Sequence, residues 1–146
     1  MSIWFKDYQL EDVWQFAGKN MLAHLGIEFT DIGEDFLKAK MPVDHRTQQP
    51  LGILHGGASV VLAESLASSG GYLTINPAKQ MCVGLEINAN HIRPVSDGYV
   101  EGVTRPIHIG KRTQVWEIKI YNQQGKIVCI SRNTLAVLEK RNKDKG

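Results

Sequence analysis

Leu54-His55-Gly56-Gly57-Ala58-Ser59-Val60-Val61-Leu62-Ala63-Glu64-Ser65-Leu66-Ala67-Ser68-Ser69-Gly70-Gly71 carries no Lys, Arg or Asp, and one Glu, at position 64. Small and apolar side chains fill nearly every other position, so the helix expected over about 56–73 has no wide polar face and is enclosed by protein. It is long enough for about four or five turns, and Asn76-Pro77 breaks the chain beyond it. A surface helix surrounds a Glu with charges three and four residues away. The corresponding neighbours of Glu64 are Val60, Val61, Ala67 and Ser68. Desolvating a carboxylate is costly unless it is paired or hydrogen-bonded, so Glu64 is a candidate for chemistry.

Upstream, Leu10, Val13, Trp14, Ala17, Met21 and Leu22 recur at helical spacing and predict one N-terminal helix over residues 9–24, stopped by Gly26. A hairpin follows, with strands Ile27-Glu28-Phe29-Thr30 and Phe36-Leu37-Lys38-Ala39-Lys40-Met41 around a Gly33 turn. Pro42 and Pro50 bound a polar loop. Downstream, four strand-like runs cover residues 82–93, 98–108, 113–121 and 127–138; the third alternates cleanly, Trp116, Ile118 and Ile120 against Glu117, Lys119 and Tyr121. Consecutive strands with one long helix predict an α+β domain, a curved antiparallel sheet wrapped around that helix. One domain spans 1–139, and a charged tail occupies 140–146. A single sheet leaves a strand edge and part of the helix uncovered, so pairing with a second copy is expected.

The chain has 146 residues, 42% hydrophobic and 22% charged, as in an ordinary globular domain. Lys plus Arg exceed Asp plus Glu by only 17 to 15, which leaves no basic stripe for nucleic acid. Cys82 and Cys129 lie in apolar strand runs without CxxC spacing and read as reduced core thiols of a cytoplasmic protein. Met1-Ser2-Ile3-Trp4-Phe5-Lys6-Asp7 lacks the apolar stretch of a signal peptide, and no run approaches a membrane span.

His55-Gly56-Gly57 stands where the loop enters the long helix. Free N–H groups point outward there, and glycine lets a ligand approach them, a natural place to hold a carbonyl oxygen that gains negative charge. Glu64 follows Gly56 by eight residues, about 80° round the helix and about 12 Å along it. One chain cannot easily focus both groups on one carbon atom; two antiparallel copies of the helix across a two-fold axis can. Composite sites, two per dimer, are expected. Ser68, four residues beyond Glu64, shares its face, and Gln49 can approach the same carbonyl from the loop. Each has a plainer reading: His55 as a helix cap, Gln49 and Ser68 as structural hydrogen-bond partners. His24, His45 and His108 read as structural or surface residues, and His91, beside Arg93 on a strand, is intermediate. No GxSxG elbow, Walker loop, GxGxxG or metal-ligand spacing is present, so neither cofactor nor metal is expected.

Met41-Pro42-Val43-Asp44, Arg46-Thr47, Gln49-Pro50, Gly52, the run Leu54 to Ser65, Val83-Gly84-Leu85-Glu86-Ile87-Asn88-Ala89-Asn90-His91, Arg93, His108-Ile109-Gly110 and Gln114-Val115-Trp116 together resemble the hotdog-fold acyl-CoA thioesterases. The closest branch holds one class of 4-hydroxybenzoyl-CoA thioesterase, the 1,4-dihydroxy-2-naphthoyl-CoA thioesterases of menaquinone synthesis and the proofreading thioesterases of enterobactin synthesis. The resemblance implies a homotetramer built as a dimer of dimers. It implies Glu64 as the catalytic carboxylate, as nucleophile or general base, and the Gly56 N–H, helped by His55 and Gln49, as the polariser of the thioester carbonyl. Ser68 would support Glu64 or its water. His91 and Arg93 would lie near substrate, and Gly110, Lys111 and Arg112 near CoA phosphates, a role that suits the basic pair physically. Leu51, where relatives tend to carry Phe, and Ser68-Ser69-Gly70-Gly71-Tyr72 at the acyl end depart from the pattern and leave the acyl group open; the thioester is that of CoA or of an acyl carrier protein. A hydratase or dehydratase on the same fold and a non-catalytic acyl-CoA binder are the competing readings.

Overall fold

A computed structural model describes residues 1–141. Six strands form one antiparallel sheet: β1 (Glu28–Ile32), β2 (Leu37–Pro42), β3 (Gln80–His91), β4 (Tyr99–Ile109), β5 (Thr113–Tyr121) and β6 (Ile127–Glu139). Their order across the sheet is β1-β2-β4-β5-β6-β3. Sequence neighbours therefore pair, except that β3 lies at the far edge and the chain crosses from it to β4 in the middle. The long helix, α3 (Gly56–Thr74), packs on one face and touches β2 through β6. The expected helix, hairpin and four later strands are all present within one or two residues of their predicted ends.

The N-terminal region differs from expectation. The single helix predicted over 9–24 is two short ones, α1 (Leu10–Trp14) and α2 (Met21–His24). Asn20 accepts the Leu22 N–H at 3.1 Å and starts a new helix, while its amide donates back to the Phe16 carbonyl. A capping residue inside the apolar periodicity thus divides it. Of the tail expected over 140–146, Lys140 follows β6 and its N–H reaches the Lys79 carbonyl; 142–146 lie outside the described residues.

The core lies between α3 and the inner sheet face. Leu62, Ala63, Leu66, Ala67 and Leu73 from the helix meet Leu37, Ala39, Met41, Val100, Trp116, Ile118, Ile120 and Leu135 from the strands, all fully buried. Close approach needs glycine at Gly71, where a Cβ would come within 2.4 Å of the Leu135 side chain. One buried polar chain crosses this interface: the Trp116 indole N–H donates to Gln114, the Gln114 amide to Thr74 Oγ1, and that hydroxyl to the Gly71 carbonyl. Trp4 stacks on Trp116 at 6.4 Å between ring centroids and fixes the chain start against the same spot. The helix face bearing Val61, Glu64, Ser65 and Ser68 is left open, and β3 is an edge strand whose Met81, Val83 and Leu85 are exposed.

Candidate active site

The loop after β2 delivers the chain to α3 at His55, the N-cap residue, in extended backbone at φ −69°, ψ 130°. Its imidazole Nδ1 accepts the Gly57 N–H at 2.8 Å. With Nδ1 accepting, Nε2 is the ring nitrogen left to donate elsewhere. The Ala58 and Ser59 N–H groups return to the His55 carbonyl. That leaves the Gly56 N–H as the first-turn amide with no acceptor among the described residues, at the positive end of a helix of 19 residues. The His91 ring leans over Gly56: a Cβ on that glycine would meet Nε2 at 2.7 Å. Gln49 accepts the Leu51 N–H on its side-chain oxygen, which leaves its Nε2 donors to bond elsewhere. Arg93 is anchored through Nη1 to the Ile127 carbonyl. Gln49, Gly56, His91 and Arg93 line one cleft of about 330 Å³ with Ser59 and Leu54.

Glu64 and Ser68 line a different cleft, of about 680 Å³, with Phe16, Met21, Tyr72 and Cys82. Glu64 is half-buried rather than enclosed; the isolation read from its apolar neighbours is incomplete because α3 leaves that face open. Beneath it lies Gly84 of β3, where a Cβ would come within 2.8 Å of Oε1. The far wall is an edge-to-face pair, Phe16 and Tyr72, with centroids 5.3 Å apart. Burial pushes the Cys82 thiol up to about 11, so it stays protonated near neutral pH. Cys82 was expected in the core; it is half-buried and faces this cleft, whereas Cys129 is buried as expected.

Within one chain, then, the two halves of the predicted site do not meet. The first cleft gathers Gln49, Gly56, His91 and Arg93, the second Glu64 and Ser68, and they share no lining residue. Gly110, Lys111 and Arg112 form the β4–β5 turn and line neither; Lys111 and Arg112 are exposed, and His108 folds over Gly110. Sequence reading placed Tyr72 at the acyl end and missed Phe16, Met21 and Gly84. Met21 read only as part of the N-terminal helical periodicity, Phe16 was unassigned, and Gly84 gains meaning only from the placement of Glu64 over it. Among the described residues, no group of three or more His, Cys, Asp or Glu is placed to hold a metal ion, and no helix is long and apolar enough to cross a membrane.

A family model described as the thioesterase superfamily matches residues 51–129. The chain belongs to the thioesterase superfamily. This thioesterase is 52% identical over 136 residues, 93% of its own length and 99% of the relative's, to the 1,4-dihydroxy-2-naphthoyl-CoA hydrolase of Escherichia coli. It is 50% identical, over 93% of its own length and 98% of the relative's, to a proofreading thioesterase of Cronobacter turicensis. Among solved structures, a thioesterase from Haemophilus influenzae superposes with a TM-score of 0.92 at 45% identity, covering 97% of this chain and 99% of that one. A mutant thioesterase from Pseudomonas aeruginosa superposes at 0.93 with 45% identity, covering 95% and 100%. The six-stranded sheet with its long helix is the hotdog fold, and the protein is an enzyme, a thioester hydrolase.

Proposed function

We propose that this thioesterase hydrolyses an aryl- or related acyl-CoA, with 1,4-dihydroxy-2-naphthoyl-CoA the first substrate to try and acyl carrier protein thioesters the second. The proposed sites are composite: Glu64 and Ser68 from one protomer, Gly56, His55 and Gln49 from its partner. One observation carries this reading: the orphan Gly56 N–H and the Glu64 carboxylate open into separate clefts of the same chain. The unpaired β3 edge and the open face of α3 supply a surface on which a second copy brings them together. An exposed, apolar strand edge invites pairing with another chain. Exposed Ile130 and Leu138 on the outer sheet face support a second, dimer-to-dimer contact and a tetramer.

In this arrangement the Gly56 N–H, the His55 Nε2–H and the Gln49 amide donate to the thioester carbonyl oxygen as it gains charge. Glu64 either takes a proton from the attacking water, which Ser68 helps to hold, or attacks the carbonyl carbon itself. On the first path water oxygen bonds to carbon, the C–S bond breaks and the CoA thiolate recovers the proton from Glu64. On the second, thiolate leaves first and water then cleaves the resulting anhydride. His91 and the anchored Arg93 line the approach, while Gly110, Lys111 and Arg112 offer donors to CoA phosphates. The apolar cleft behind Glu64 takes the acyl group. The reduced thiols and the acyl-CoA substrate fit a cytoplasmic enzyme.

Thiol release followed with a disulfide dye tests the reaction: Glu64→Gln is expected to lower kcat by about 10²–10⁴-fold with the fold intact. Near-normal turnover by that variant removes Glu64 from the mechanism. Subunit mixing tests the composite site. Glu64→Gln and Gly56→Pro, each inactive alone, restore about a quarter of wild-type turnover when co-refolded, since half of the dimers are mixed and each mixed dimer holds one intact site. No recovery would place both groups in one protomer's site.

A further inference from the structure

We infer that Thr47 is a positioning residue for the oxyanion end of the site, acting through His55; this rests on the reading of the site above. Thr47 is 2% exposed, although His45 and Arg46 beside it are exposed. Its hydroxyl donates to the Pro42 carbonyl at 2.7 Å, at the end of β2, and accepts the Asp44 N–H at 3.2 Å. Its own carbonyl accepts the His55 N–H at 2.8 Å. Between these two residues the chain closes a small hairpin, with a bridge from Gln48 to Leu54 and the Gln49 N–H on the Ile53 carbonyl. Thr47 and His55 form its base.

The consequence follows the bonds outward. β2 is paired with β4 along its whole length, ending with Pro42 opposite Tyr99. The Thr47 hydroxyl ties the loop to that end, and the Thr47 carbonyl ties His55 to the loop. His55 in turn holds Gly57 through Nδ1 and so aims both its own Nε2–H and the neighbouring Gly56 N–H. Losing the hydroxyl leaves the Pro42 carbonyl and the Asp44 N–H without their partner, and the base of the hairpin shifts. A misplacement of about 1 Å in groups that grip a reacting carbonyl costs up to about a hundredfold in rate.

The test uses Thr47→Val, which removes the hydroxyl at nearly constant volume, and Thr47→Ser, which keeps it, with kcat and KM measured on one acyl-CoA substrate. Thr47→Val is expected to lower kcat about tenfold with KM changed less than about twofold, and Thr47→Ser to restore kcat. In a His55→Ala background Thr47→Val is expected to remove little more, because groups that act as a unit are not additive. If Thr47→Val does not fold, Thr47→Ala removes the same hydroxyl without adding a methyl and is judged by the same outcomes. Full multiplicative loss on top of His55→Ala, or equal loss in Thr47→Ser and Thr47→Val, overturns the role. Unchanged kcat in Thr47→Val beside an inactive Glu64→Gln overturns it too. Normal turnover by Glu64→Gln overturns the site reading itself.

Discussion

The Glu64 carboxylate lies over Gly84: a methyl group on that glycine would stand 2.8 Å from Oε1. The two residues are on different elements, α3 and the edge strand β3, and the clearance exists because Gly84 has no side chain. Gly84→Ala is expected to fold normally, since the group it displaces is the free end of a flexible side chain. Turnover should fall about ten- to a hundredfold at nearly constant KM as the carboxylate is pushed from its position. Steady-state kinetics beside a circular dichroism melt reads both, and wild-type kcat would show that Glu64 has room to act from elsewhere.

Gly56 is the first residue of α3, where proline is well tolerated. His55 before it already holds the extended backbone that a residue preceding proline adopts. Gly56→Pro therefore deletes the orphan N–H with a backbone the helix start already holds, while its Cβ presses on His91 as that of Gly56→Ala does, and kcat should drop by about 10²–10³. Gly56→Ala keeps the N–H but presses on His91, so its loss reports the displacement of His91 instead. A Pro variant no slower than the Ala variant would take the Gly56 amide out of catalysis.

His55 does two things that substitutions separate. Its Nδ1 caps α3, and its Nε2–H is free to donate. Asparagine keeps a capping acceptor but not the distal donor. His55→Ala is expected to cost about 1 kcal/mol of stability and His55→Asn only a fraction of that, while both lose turnover. Denaturant melts and kinetics on the two variants give the comparison; full activity in His55→Asn would reduce His55 to a cap.

Asp44 sets an acid limit on the loop that carries Thr47. The Arg46 side chain, then the Arg46 N–H, hold its carboxyl at about 2 rather than 3.8. A carboxyl depressed on folding stabilises fully above its unfolded value and loses that contribution as pH falls through the folded one. The Asp44 contribution is therefore present above about pH 4 and fades toward pH 2. The pair is solvent-exposed, so its effect is small and shrinks with salt. Thermal midpoints of Asp44→Asn and wild type should differ at pH 6 in low salt and converge toward pH 2; a constant gap across that range would assign the difference to something other than this charge.

Much of the fold is legible in the chain because strand alternation and the small-residue helix are local patterns. Trp116, Ile118 and Ile120 point inward as their spacing requires. The break between α1 and α2 was hidden because Asn20 interrupts an apolar period that otherwise continues past it. The position of β3 at the far edge was hidden for a different reason: strand order depends on which distant faces bury each other, and no local pattern in β3 names its neighbour. The site divides along the same line. Glu64, His55 and Gly56 stand out as chemistry-bearing residues in an otherwise inert run. Gly84, Thr47, Cys82 and Phe16 look ordinary in sequence; what sets them apart is their placement against Glu64, His55 and the cleft, which only the folded chain shows.

The chain of bonds from Trp116 through Gln114 and Thr74 to the Gly71 carbonyl divides α3 dynamically. Its last turns are stapled to β5 and overlaid by Trp4, whereas its first residues, ahead of the buried Ala58, are held by the hairpin loop and one imidazole. Deuterium uptake should therefore be slowest at the amides around Gly70 to Leu73 and in β5, and fastest near the helix start. The slow-exchanging nucleus is thus expected at the opposite end of α3 from the Gly56 N–H, so that the loop around Thr47 opens first while the framework stays closed.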